Sequence, residues 1–217
     1  MSEMLNVAIF GGAFNPVHWG HLLIAETAFD QFNLDHVIWV PTFQPPHKTP
    51  SILAYEHRFE MVQRAIADHP AFTVSAVDQQ RTGPSYAIDT LRALQVLHLN
   101  TRWHWIIGHD AFVSLPQWRA SQELGAQCIW LVAPRPEAGP GSEAIGRPGD
   151  SDLQPGQSTR FALPHALRLR WHWLDMPSVG ISSSLVRQRC LAGRSIRYLV
   201  PPAVHSYIAG QNLYQMS

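Results

Sequence analysis

The stretch Val7-Ala8-Ile9-Phe10-Gly11-Gly12-Ala13-Phe14-Asn15-Pro16-Val17-His18-Trp19-Gly20-His21 decides the fold. A β-branched and aromatic run at 7–10 ends on paired glycines, and apolar residues spaced three and four apart take over at 22–32. That order predicts a strand, a tight turn and a helix. Glycine lets backbone N–H groups approach a ligand with no Cβ in the way, and the positive end of the following helix favours an anion. The segment therefore predicts a phosphate-binding crossover at the carboxyl edge of a parallel sheet, where such sheets bind ligands.

Working outward, runs at 36–41, 72–77, 103–107 and 128–133 predict further strands, and segments at 58–67 and 86–97 predict helices between them. Alternating strands and helices predict an α/β fold, a Rossmann-like doubly wound parallel sheet with flanking helices. Residues 134–158 are crowded with Pro, Gly, Ser and charge, and are expected to form a flexible insertion within a single domain spanning 1–217. Order resumes with the aromatic run 170–174. A helix at 183–192 is closed by Gly193 as a left-handed cap, and Pro201 and Pro202 open a last short helix, completing a C-terminal helical segment.

Composition narrows the partners. The chain has 217 residues, 46% hydrophobic, enough for a substantial core. Its 16 basic and 16 acidic side chains cancel, so no long-range field attracts a nucleic acid polymer or a membrane, and a phosphate ligand needs a local site. Cys128 and Cys190 form no C-x-x-C pair and fit free thiols in a reducing compartment. With no basic leader and no long apolar run, a cytoplasmic protein is expected.

His18 and His21 lie three apart at the start of the predicted helix and project from one face toward whatever the glycine turn holds, with Gly20 leaving room between them. Their expected work is to neutralise phosphate charge. One of them capping the helix while the other sits on the surface is the alternative. A zinc pair is disfavoured, because metalloprotease histidines stand four apart with a glutamate between. Late in the chain, Ile181-Ser182-Ser183-Ser184-Leu185-Val186-Arg187 places hydroxyls and unpaired N–H groups at a helix start, with Arg187 one turn on. This is either a second anion cradle or a serine-rich cap beside a solvated arginine.

The run from Gly11 to His21 is similar to the nucleotidyltransferase signature G-G-[ST]-F-D-P-x-H-x-G-H, departing from it at Ala13 and Asn15. Asn15 lacks the carboxylate but keeps an oxygen able to cap a helix. The run from Ile181 to Arg187 resembles the late I-S-[SA]-T-x-[IV]-R motif, with Ser184 in place of threonine. Pro45-Pro46-His47-Lys48, Gly83-Pro84-Ser85-Tyr86, Ile106-Ile107-Gly108-His109-Asp110 and Leu115-Pro116-Gln117-Trp118 extend the resemblance, in order, to bacterial nicotinate-nucleotide adenylyltransferases. Read alone, Lys48 is a mobile cation or plain surface charge, Asp110 a ribose or metal-phosphate contact or a helix cap, and Trp118 a stacking platform or part of the core.

The resemblance implies transfer of the adenylyl group of ATP to nicotinate mononucleotide, giving deamido-NAD and pyrophosphate in NAD biosynthesis. It assigns catalysis to His18, His21 and Arg187, and ATP binding to these three with Gly11, Gly12, Ala13, Gly108, Asp110, Ser183 and Ser184. Mononucleotide binding falls to Phe14, His47, Lys48, Ser85, Tyr86, Trp118 and Arg135, with backbone amides near Tyr86 and Trp118 reading the nicotinate carboxylate. No protein metal site is implied; Mg2+ arrives with ATP, and no tightly bound organic cofactor is expected. The partners implied are ATP and nicotinate mononucleotide, with a homo-oligomer left open. The alternatives are another acceptor, such as nicotinamide mononucleotide, or a non-catalytic nucleotide-sensing module, against which the retention of His18, His21 and Arg187 argues.

Overall fold

Strands β1 (Leu5–Gly12), β2 (His36–Pro41), β3 (Phe72–Val74), β4 (Thr101–Gly108), β5 (Ile129–Ala133) and β6 (Arg170–Trp173) pair in parallel in the order β3-β2-β1-β4-β5-β6. The computed structural model describes residues 4–46, 52–134 and 169–215. Helices α1 (Trp19–Gln31), α2 (Tyr55–Ala65), α3 (Ala87–Leu97), α4 (His109–Ser114), α5 (Ser121–Gln127), α6 (Ser183–Leu191) and α7 (Pro202–Gly210) flank the sheet, with a 3-10 turn at Leu115–Gln117. The insertion expected at 134–158 lies outside the described residues apart from Pro134, as do the candidate ligands His47, Lys48 and Arg135.

Successive side chains of a strand point to opposite faces, and here both faces are apolar, as a sheet wrapped on two sides requires. Ala8, Phe10, Trp39, Ile106 and Leu131 pack on one face with Ala25 and Ala28 of α1, Met61 and Val62 of α2, Val186 of α6 and Val204 of α7. On the other, Val7, Ile9, Ile38, Trp105, Ile107, Trp130 and Val132 pack with Ile88, Leu91 and Leu94 of α3, Phe112 of α4 and Leu124 of α5. The predicted doubly wound architecture is what the chain adopts.

Chain order reverses between β1 and β4, which lie side by side with Phe10 opposite Ile106. Helices leave the two strands toward opposite faces, so their carboxyl ends open a crevice. Gly11 and Gly12 stand at one lip and Gly108 at the other.

Several elements differ from expectation. Helix α1 starts at Trp19 rather than Leu22, because His18 already has the extended backbone of a cap and the turn is shorter than the apolar spacing suggests. β3 stops at Val74; Ser75 donates its N–H to the Trp39 carbonyl and the chain then turns away from the sheet. The aromatic run at 170–173 forms the sixth strand, at the sheet edge. Helices α4 and α5 and the 3-10 turn are each too short to show a period. Gly193 follows α6 with φ +63°, the left-handed cap expected of it, and Pro202 opens α7.

His104, inside β4, is buried, and burial pushes its pKa down to about 4 against weaker support from backbone bonds to Arg102 and Val7. A histidine depressed in the folded state binds fewer protons than in the unfolded chain. Its contribution is therefore complete above pH 6.5 and is lost as pH falls toward 4. Urea unfolding should show stability dropping across that window by up to about 1.4 kcal/mol per pH unit for this one group. His104→Gln should flatten the slope; an unchanged slope in the variant would refute the assignment.

Candidate active site

The glycine turn is held from below by its own aromatic neighbour. A Cβ at Gly12 would stand 3.2 Å from the Phe14 ring, closer than most Cβ contacts, so a side chain there would press on the ring. Phe14 was expected beside the mononucleotide, but it is 2% exposed and packs edge-on against Phe10 and against His21, at 5.4 and 5.1 Å between centroids. Its ring packs against His21 and helps to position that histidine.

His18 caps α1 with extended backbone, and His21 is the third helical residue. Their rings lie 3.7 Å apart at 30°, so the predicted shared face is real. The His18 backbone N–H donates to His21 Nδ1 at 3.2 Å. In the neutral ring that bond leaves the proton on Nε2, giving His21 an N–H donor on the opposite edge. Desolvation pulls His18 to about 4, and desolvation with the neighbouring His18 pulls His21 well below the usual histidine range. Without an anion beside them both rings are therefore neutral at pH 7 and act as hydrogen-bonding groups. A polyphosphate within a few ångströms would favour the protonated forms.

Gly20 leaves room for the same packing. A methyl group there would stand 3.0 Å from His18 Nδ1 and 3.5 Å from the Ile181 carbonyl oxygen. The late serine motif thus lies close to the first, and hydrogen bonds join the two. Ser182 caps α6, accepting from Leu185 N–H at 3.1 Å. The Ser183 hydroxyl donates to the Pro16 carbonyl at 2.8 Å, and Arg187 Nη1 donates to the Asn15 carbonyl at 2.8 Å. Ser183, expected on the nucleotide, thus has its proton committed to the signature loop. Arg187 is tethered by one arm while its other arm lies 3.3 Å from Ser184 Oγ, which is exposed.

Asn15, considered as a helix-capping oxygen, does not cap. Its Oδ1 accepts from the Tyr214 hydroxyl at 2.7 Å, near the end of the described chain. Tyr214 and Arg58 are site-supporting residues that the sequence did not reveal. Arg58 Nη1 donates to the Ala13 carbonyl at 2.8 Å. Neither residue belongs to a motif, and only folding places them at the turn.

Across the crevice a methyl group at Gly108 would meet nothing within 4 Å, so this lip faces open space. Asp110 is two residues into α4 with its side chain 71% exposed; Gly108 occupies the cap position that Asp110 was also considered for. Ser85 clasps the loop after β2: its N–H donates to the Gln44 carbonyl at 2.7 Å, and its hydroxyl accepts from Gln44 N–H at 3.1 Å, leaving the hydroxyl proton to donate. Tyr86 follows as the N-cap of α3. The Arg119 guanidinium lies over the Tyr86 ring at 4.8 Å, tying the 86 and 118 segments together. Trp118 is half-buried, edge-on to Trp130 at 6.3 Å, with its indole N–H on Ser114 Oγ at 3.2 Å and its backbone N–H on the Leu115 carbonyl at 3.0 Å. Its own amide is engaged, so an amide available to a carboxylate on this side must come from a neighbour.

The cytidylyltransferase-like family model matches residues 9–189. A protein of Trichormus variabilis named "Probable nicotinate-nucleotide adenylyltransferase" is 49% identical over 97% of this chain and 98% of its own. One of the same name from Salinibacter ruber is 38% identical over 97% and 98%. The chain belongs to this family, among the nicotinate-nucleotide adenylyltransferases. The fold is also that of the Plasmodium falciparum nicotinic acid mononucleotide adenylyltransferase complexed with NaAD, with a TM-score of 0.71, 17% identity and coverage of 97% of both chains. Among the described residues no helix is long and apolar enough to cross a membrane.

Tyr214→Phe removes the one hydroxyl that, among the described residues, reaches Asn15 Oδ1, and leaves that buried amide oxygen without it. The loss should lower unfolding free energy by about 1–3 kcal/mol. A urea midpoint equal to that of the parent protein would exclude this role.

Proposed function

We propose that this enzyme transfers the adenylyl group of ATP to the 5′-phosphate of nicotinate mononucleotide. The observation that carries the reading is the convergence of the Gly11–His21 turn with the N-terminus of α6 at the β1/β4 crevice. The names of its relatives support the same reaction.

The acceptor phosphate is already anionic near neutral pH, so its oxygen attacks the α-phosphorus without a general base. A new P–O bond forms as the bond from the α-phosphorus to the bridging oxygen breaks, and pyrophosphate leaves with the bond pair. The demand is to hold two polyanions in line and to stabilise charge on the α-phosphate. His21, donating through Nε2, is assigned to the oxygen where that charge develops, and His18 to the adjoining phosphate. Ser184, the exposed end of α6 and the remaining N–H groups of Arg187 hold the leaving pyrophosphate. Phe14, Ser85 and the Tyr214–Asn15 pair position these groups.

Among the described residues no group of three or more His, Cys, Asp or Glu side chains could hold a metal ion. Magnesium in this reading comes with the nucleotide, screening its phosphates. Selection of the acid is assigned to the start of α3. Tyr86 caps it without a side-chain bond, so its first-turn N–H groups suit a carboxylate. Trp118 beside it offers an aromatic face to the pyridine ring. The free thiols of Cys128 and Cys190 fit a cytoplasmic enzyme.

Mixing the protein with ATP, magnesium and nicotinate mononucleotide should release pyrophosphate. His21→Ala should lower kcat about a hundredfold or more, with a smaller change in ATP affinity; near-normal turnover would sink the assignment. The amide mononucleotide should react at least about tenfold less efficiently in kcat/KM, and equal efficiencies would remove the start of α3 from acceptor recognition.

A further inference from the structure

Arg58 is 1% exposed, at the first turn of α2, and among the described residues no carboxylate pairs with it. Its guanidinium is held by backbone carbonyls: Nε donates to Leu53 at 2.9 Å, Nη1 to Ala13 at 2.8 Å and, at a longer 3.5 Å, Nη2 to Phe43. The Tyr55 ring lies 5.6 Å away. Burial of an arginine without a counter-ion is costly, and an apolar side chain of similar length would avoid the cost. The position of the charge is informative: its three acceptors belong to the signature turn and to both ends of the loop joining β2 to α2.

We infer that Arg58 is a positioning residue for ATP, acting through the Ala13 carbonyl. The Ala13–Phe14 peptide is trans, so its C=O and N–H point in opposite directions. A carbonyl drawn inward onto Arg58 turns the Phe14 N–H away from the buried guanidinium. Phe14 itself has φ 45°, a conformation that an L-residue adopts at a cost and that its surroundings must hold. Arg58 thereby sets how the turn presents its amides, and its uncompensated positive charge lies one residue's carbonyl away from the place where a polyanion binds. By the same fork it fixes the signature turn relative to the β2–α2 loop. This inference rests on the reading of the turn as the ATP site.

The test compares ATP dissociation constants for the parent protein, Arg58→Met and Arg58→Lys at 15 °C, with circular dichroism establishing that each variant is folded. Arg58→Met, which keeps length but neither charge nor donors, should weaken ATP binding about tenfold or more. It should also reduce the dependence of ATP affinity on salt. Arg58→Lys, which keeps the charge without the fork, should recover the salt dependence but only part of the affinity. A merely structural arginine would lower the melting temperature and leave both affinity and salt dependence of the folded fraction unchanged; that result overturns the proposal. Should both variants fail to fold, the Arg58 Nε–H resonance of the parent protein decides. ATP should shift it and slow its exchange, and no response at saturating ATP overturns the proposal. If the parent protein does not bind ATP at all, the functional reading itself fails; if it binds ATP and only the Arg58 effects are missing, the reading stands and this inference falls.

Discussion

Two hydrogen bonds from α6 to the signature loop organise this molecule. Ser183 donates to Pro16 and Arg187 to Asn15, across separations of 167 and 172 residues. Neither acceptor is a side chain, so the contact depends on where the loop's backbone lies. The loop in turn depends on Arg58, which draws the Ala13 carbonyl inward, and on Tyr214, which occupies the Asn15 amide. The signature turn is thus surrounded by donors from parts of the chain remote in sequence, and its geometry is a property of the whole fold. Such convergence fits a reaction whose difficulty is placement of charge rather than proton transfer.

The neutral histidine pair follows from the same packing. His18 and His21 are squeezed ring against ring over Phe14 with water largely excluded, and two adjacent cations there would repel as well as lose hydration. Uncharged rings let the pair pack without stored repulsion. The bond from the His18 backbone to His21 Nδ1 chooses the tautomer in advance, so the useful N–H edge of His21 is determined by the main chain.

Much of the function was legible because its signals are local. Paired glycines after a strand, histidines three apart at a helix start and hydroxyls ahead of an arginine each state a backbone geometry with its chemistry. Strand and helix alternation likewise declared a doubly wound sheet, since apolar spacing differs between elements buried on two faces and on one. The weak points were short elements: β3 shrank, α4 and α5 carried no readable period, and α1 began three residues early because His18 supplied the cap.

What the sequence by itself determined was the order of elements along the chain, a ligand-binding crossover at the carboxyl end of β1, and the residue types able to meet a phosphate there. Only the tertiary structure decided that β4 lies beside β1 and which of those residues find partners within the protein. Phe14 went into the core, the Ser183 and Ser85 hydroxyls found backbone partners, Asn15 was claimed by Tyr214, and Arg58 entered the site from outside every motif. The physical reason is that a motif specifies the groups on offer, whereas hydrogen-bond satisfaction and burial depend on neighbours that only the folded chain supplies.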